Sequence, residues 1–77
     1  MTLGEWADAH GLTDREIAER MTKWQEKQGI DDSVSVPAVQ KYRTGRVPKS
    51  DRMLAIFGIT DGWVTANDFY DLPVVVA

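Results

Sequence analysis

The 77-residue sequence predicts an all-α protein, a compact bundle of four to five short helices. Two observations predict it. Apolar residues recur at three- and four-residue spacing in each long segment, and the segments open on a hydroxyl residue and close at or near a glycine. Thr2 with Glu5 forms a capping box for a first helix, with Leu3, Trp6, Ala7 and His10 at helical spacing and Gly11 as its stop. His10 ends that stripe, where it caps or packs. Thr13 with Glu16 repeats the box for a second helix from about Asp14 to about Gln28, which has Ile17, Ala18, Met21 and Trp24 on its apolar side and Gly29 beyond it. Trp24 on that stripe reads as core rather than as a stacking platform. Ile30 to Val34, containing Asp31, Asp32 and Ser33, reads as a polar connector. The two aspartates are loop residues, not a metal site.

A third helix comes next, with Ser35 as N-cap, Pro37 in its first turn and Gly45 as its stop. Val36, Val39 and Tyr42 share a face that can be buried. Pro37, Lys41 and Thr44 fall opposite with Gln40 beside them, and Arg43 sits at the border, where its stem must snorkel outward. After the turn Thr44 to Pro48, Ser50 is expected to cap a fourth helix, with Met53, Ile56 and Phe57 inside, Leu54 flanking and Gly58 as terminator. Trp63 and Val64 are expected in the core. Thr65 is expected to cap a last turn from Ala66 to Tyr70 with Phe69 inward, and Asp71, Leu72 and Pro73 to end it.

The size and composition narrow the function. At this length roughly two-thirds or less of the unfolded surface can be buried, so stability is expected to be marginal without a partner. Cysteine is absent, which removes disulfides and thiolate zinc sites, and one histidine cannot make a cluster. No apolar run approaches a membrane span, and the first residues lack the basic and apolar regions of a signal peptide, so a cytoplasmic location is expected. The net charge of −3 is unevenly spread: residues 1–34 balance at −4, residues 35–52 at +4 and residues 53–77 at −3. The positive segment carries Lys41, Arg43, Arg46, Lys49 and Arg52 against Asp51 alone, and such a local basic patch can hold phosphates on an acidic protein. A short helix with a small apolar anchor side, an amide and an ammonium outside, and cations at its exit suits a DNA major groove.

With the pattern assembled, the chain resembles the Cro/repressor-type helix-turn-helix regulators of phages and bacteria, and looks like small prophage Cro-like proteins. The matching pieces are TLGEWADAHG, LTDREIAERM, SVPAVQKYRTGRVP, PKSDRMLAIFGITDG and WVTANDFYDLP, which span most of residues 2–73. The most specific are Val39, Tyr42, Gly45, Arg46 and Pro48. The resemblance implies a helix-turn-helix DNA-binding domain over residues 1–73 and a tail over 74–77. It also implies a recognition helix from about Ser35 to Thr44 whose base-reading positions are Val36, Pro37, Ala38, Gln40 and Lys41. Thr44 and Arg46 align with phosphate-holding positions. Chemistry gives the same division: Gln40 can pair with an adenine edge and Lys41 with a guanine edge, while Pro37 and Ala38 offer apolar contact to a thymine methyl. Arg43, Arg46, Lys49 and Arg52 would set register on the backbone. The chain departs from the family pattern in its second helix, which is expected to run on through Trp24. Thirteen residues, Thr22 to Val34, separate Met21 from Ser35.

The expected function is therefore sequence-specific binding of double-stranded DNA by a Cro-like transcriptional regulator, a homodimer on a roughly palindromic operator, in the bacterial nucleoid or a phage-infected cell. About four to six phosphate contacts would make its affinity steeply salt-dependent. No cofactor, metal, membrane or small-molecule ligand is expected. The dimer surface would be either a strand from Val74 to Val76 or the apolar side of helix four with Trp63 or Phe69. The alternative is a protein-binding module, an antirepressor or antitoxin-like partner, which acidic overall charge and the long connector favour. An enzyme is not expected, since the chain lacks a cysteine nucleophile, a histidine cluster and a phosphate-cradling glycine loop.

Overall fold

The computed structural model describes residues 1–69. Its four α-helices are α1 (Leu3–His10), α2 (Asp14–Lys27), α3 (Val36–Arg43) and α4 (Ser50–Ile59), with a 3₁₀ turn after them at Ala66–Asp68. There is no strand among the described residues. The expected strand at Val74–Val76 and the end of the last turn at Tyr70 to Pro73 lie outside them.

Both capping boxes form. The Thr2 hydroxyl accepts from the Glu5 amide at 3.1 Å while the Glu5 carboxylate accepts from the Thr2 amide at 2.9 Å. Thr13 and Glu16 repeat the exchange at 3.2 and 3.1 Å. These pairs satisfy amides that the first helical turn leaves open. Gly11 closes α1 at φ +64°, a left-handed conformation that a side chain would strain, and its N–H reaches the carbonyls of Ala7 and Asp8. His10 packs its ring 4.6 Å from that of Trp6.

The helices pack through one core. Leu3, Trp6 and Ala7 of α1, Ile17, Ala18 and Met21 of α2, Val39 of α3 and Ala55 and Ile56 of α4 are buried together with Val34, Val64 and Phe69. Helix α2 is the central element, packed against both α3 and α4, while α1 touches α3. Two polar side chains on the extended α2 organise the connector. Thr22 Oγ1 donates to the Ala18 carbonyl at 2.8 Å and accepts from the Val34 amide at 3.0 Å. Gln25, fully buried, donates through Nε2 to the Asp32 carbonyl at 2.7 Å, and its backbone carbonyl accepts from Ile30. The connector is thus not the purely polar link that its composition predicts. It is stitched to α2, and Val34 is driven into the core.

Helix α4 and the turn after it depart from expectation at four points. Ser50 is the first helical residue rather than the cap. Lys49 holds the cap position, and no side chain caps the end. The buried side is Ala55 and Ile56, with Met53 and Ile59 half-covered, whereas Phe57 is exposed. The run from Met53 to Ile59 is apolar almost all round, so periodicity could not choose its inner face. Gly58 lies within the helix instead of ending it, because the Trp24 indole lies flush against its backbone. A Cβ at Gly58 would come within 2.1 Å of Trp24 Nε1. Trp63 is exposed, not core. Thr60, buried, turns the chain there by donating to the Ile56 carbonyl at 2.7 Å and accepting from the Val64 amide at 3.2 Å, which sends Val64 inward.

The last turn ties the described chain back to its start. Asp68 accepts from the Thr65 amide at 2.8 Å and from the N-terminal ammonium at 2.9 Å. Partial burial pushes the Asp68 carboxyl up, but these donors outweigh it and hold it below its ordinary value. The Thr2 amide and hydroxyl likewise lower Glu5.

Alanine normally stabilises a helix interior relative to glycine by about 0.5–1 kcal/mol. Here Gly58→Ala should instead lower stability in urea by about 1–3 kcal/mol, since the indole must shift. The folded Asp68 and Glu5 bind their protons less tightly than the unfolded chain does. Their stabilisation is therefore complete above the ordinary carboxylate range, roughly pH 4, and is lost as pH falls through their lowered folded values. Thermal midpoints should drop through that acid window and drop less in the Glu5→Gln, Asp68→Asn double variant.

Candidate nucleic-acid interface

Helix α3 forms as its sequence predicts. The Ser35 hydroxyl accepts from the Ala38 amide at 3.3 Å, and Pro37 occupies the first turn, where its missing N–H leaves no bond unmade. Val39 is fully buried and Val36, Ala38 and Tyr42 are half-buried against the core. Opposite them Pro37, Gln40 and Lys41 face solvent. The helix ends at Thr44, and Gly45, at φ +107°, lets the chain turn so that the Arg46 amide reaches back to the Lys41 carbonyl at 3.0 Å.

The ten residues expected to read bases or hold phosphates fall into distinct groups. Pro37, Gln40 and Lys41 stand together on the outward side of α3, with Ala38 at its edge. Val36 does not join them. It lies against the core beside Val34 and Thr22 of the α2–connector groove. Arg46 and Lys49 are exposed and have no ion-pair partner among the described residues. With Lys41 and Pro37 they border an open groove of about 510 Å³ between α3 and the start of α4. Thr44 is exposed, but its hydroxyl proton is used on the Lys41 carbonyl at 2.9 Å.

The other two cations are engaged within the chain. Arg43 donates from Nη1 to Asp14 at 2.9 Å and from Nη2 to Asp8, so it bridges α3 to the start of α2 and the end of α1. Its stem lies over Gly4, where an added Cβ would sit 3.4 Å from Arg43 Cγ. The hydrogen bond to Asp14 leads in raising the Arg43 pKa, against the opposing effect of burial. Arg52 donates from Nη2 to Asp32 at 2.8 Å and to the Ser33 carbonyl at 3.3 Å, and its Nη1 is buried without a partner. Its side chain, 16% exposed, holds the connector to α4.

Of the four cations expected at phosphates, Arg46 and Lys49 are thus the two without an ion-pair partner among the described residues, with Lys41 adjoining. Sequence reading missed Asp8, Asp14, Thr22 and Gln25 as residues that set the pose of α3. Asp14 carried one signal, its place in the first turn of α2, but that reads as a dipole interaction rather than a partner for Arg43 29 positions on. No protein-family model matches the chain, and no curated protein or solved structure matches it either.

Replacing Arg43 with methionine keeps the stem over Gly4 and removes both ion pairs. Urea denaturation of Arg43→Met should show a loss of about 1–2 kcal/mol, the upper part from the more covered pair with Asp14, since the pair with the exposed Asp8 is screened by solvent.

Proposed function

We propose that the chain binds double-stranded DNA sequence-specifically as a Cro-like transcriptional regulator, laying α3 in the major groove. The observation that carries this reading is the outward face of α3. Gln40 and Lys41 are exposed and form no side-chain hydrogen bond among the described residues, and Lys41 shares a groove with Arg46 and Lys49, which have no ion-pair partner among those residues. An amide and an ammonium one residue apart present the donors and acceptor that adenine and guanine edges require, and Pro37 beside them suits a thymine methyl. Arg46 and Lys49 flank the helix where backbone phosphates would run, and hold position without reading sequence. Two copies would read a roughly palindromic operator, with half-sites about one duplex turn apart.

A second reading, a protein-binding module on the same fold, draws on the internal engagement of Arg43 and Arg52. Those pairs reduce the cations open to phosphate, on a chain whose net charge is −3.

Binding-site selection from random duplexes at two salt concentrations separates the readings. The DNA reading expects an enriched, two-fold-symmetric sequence and a log–log salt slope of about −4 to −5 for a pair of copies. Gln40→Ala and Lys41→Ala should each cost about 1–3 kcal/mol at particular base pairs, whereas Arg46→Ala should weaken all sequences alike and make the slope shallower by about 1 for each phosphate it no longer neutralises. Arg43→Met should leave the slope unchanged. Absence of retention on random duplex or heparin at low salt, with capture of one specific protein, would favour the protein-binding module.

A further inference from the structure

Helix α2 carries a second basic surface, distinct from the groove beside α3. Arg20, Lys23 and Lys27 are exposed and have no ion-pair partner among the described residues. Their spacing of three and four residues sets them on one side of the helix, along about 10 Å of its axis. Trp24 stands among them, half-buried, with its indole flush against the Gly58 backbone of α4. Ile59, the last residue of α4, is half-buried beside it. These five side chains line a shallow groove of about 270 Å³ in which the apolar pair is the covered part and the cations are the exposed part. No carboxylate lines it among the described residues. Lys27 lies in the last turn of α2, where a cation also suits the helix dipole, but Arg20 and Lys23 precede that turn and gain little from it. None of the five borders the groove beside α3, so both surfaces can be occupied at once.

Charge and shape together decide what fits. Three unpaired cations on a chain of net charge −3 select an anionic partner. The half-buried indole and isoleucine add a second demand, since covering them takes a large apolar side chain. A duplex backbone meets only the first. It presents a phosphate for about every 1.7 Å of axis and no apolar group. It would also press that charge on Glu19 and Glu26, which share with Lys23 the neighbouring groove along α2. A peptide with a few acids and one apolar residue meets both demands and can keep its charges clear of those glutamates. Acids three and four residues apart on a helix repeat the spacing of the cations, with the apolar side chain set between them. Exposed ion pairs each contribute little, so a single segment should bind modestly, at about 0.1–1 mM.

We propose that the groove of Arg20, Lys23, Trp24, Lys27 and Ile59 docks an acidic, amphipathic segment of a partner protein. This goes beyond the DNA reading and does not rest on it. The test is selection on the immobilised full chain from displayed random peptides of about twelve residues, a little over three helical turns. The Lys23→Gln, Lys27→Gln double variant serves for counter-selection. Both lysines are exposed and glutamine is a comparable helix former, so the variant should keep its helical circular dichroism. Enriched peptides should carry acids at three- and four-residue spacing and one large apolar residue. The best of them, made synthetically, should shift the NMR signals of the Trp24 indole N–H, of the Ile59 amide and of the amides of residues 20–27. It should bind the double variant at least tenfold more weakly and Lys41→Ala unchanged, and replacing its apolar residue with alanine should weaken it about tenfold. No enrichment, enriched peptides without acids, shifts centred on Lys41, Arg46 and Lys49, or equal binding by the double variant would overturn the proposal. A random-sequence duplex or an oligothymidylate that moves the Trp24 signal more than the selected peptide would also overturn it, and would assign the groove to nucleic acid. Duplex retention should be the same for the double variant and the parent chain. Loss of retention from both, with the peptide still bound, would remove the DNA reading and leave this docking site standing.

Discussion

The pose of α3 depends on Arg43. An eight-residue helix with one fully buried side chain, Val39, has too small an anchor to fix its own rotation. Arg43 supplies the missing constraint. From the last turn of α3 its guanidinium reaches carboxylates on two other helices, Asp8 near the end of α1 and Asp14 at the start of α2. The planar fork of arginine suits this task, since its donors leave in fixed directions and its charge persists at any pH the fold survives. The stem lies over Gly4, where an added Cβ would only touch it at 3.4 Å, so the bridge rests on the acids of α1 and α2.

A second set of contacts fixes the other end of α3. Thr22 and Gln25, both on the extended part of α2, bind the connector backbone from within, and Arg52 of α4 binds it from the opposite side. The long connector therefore loses its freedom before it reaches Ser35. From sequence, an extended α2 leaves the direction of α3 undetermined, because threonine and glutamine read as solvated residues. In the folded chain their polar atoms are the fastening.

Much of the fold was legible because it rests on local rules. The capping boxes, the glycine stop of α1, the proline in the first turn of α3 and the Val39 anchor each depend on residues within one or two turns of one another. Most failures have the opposite character, the exception being the Ser50 cap, a local signal that fell one residue inside the helix. Phe57 was expected inside because α4 is apolar on nearly every side, and only packing against α2 selects Ala55 and Ile56; Trp63, in the turn after α4, was also expected inside and is exposed. Gly58 looked like a stop because its partner, Trp24, lies far back along the chain on α2. The candidate site divides in the same way. Gln40 and Lys41 were legible from helical period, whereas the engagement of Arg43 and Arg52 required knowing which acids fold beside them. Among the described residues no carboxylate pairs with Arg46 or Lys49, on the turn between α3 and α4.

The division of labour along α3 also bears on how such a chain could change over time. Its structural duties fall on Ser35, Val39, Tyr42 and Arg43, while the side chains of Gln40 and Lys41 form no hydrogen bond or ion pair among the described residues. Substitution at those two positions carries almost no folding penalty. Descendants of one ancestor could exchange the chemistry they present to the outside while inheriting the same scaffold intact, and divergence in that surface would outpace divergence in shape.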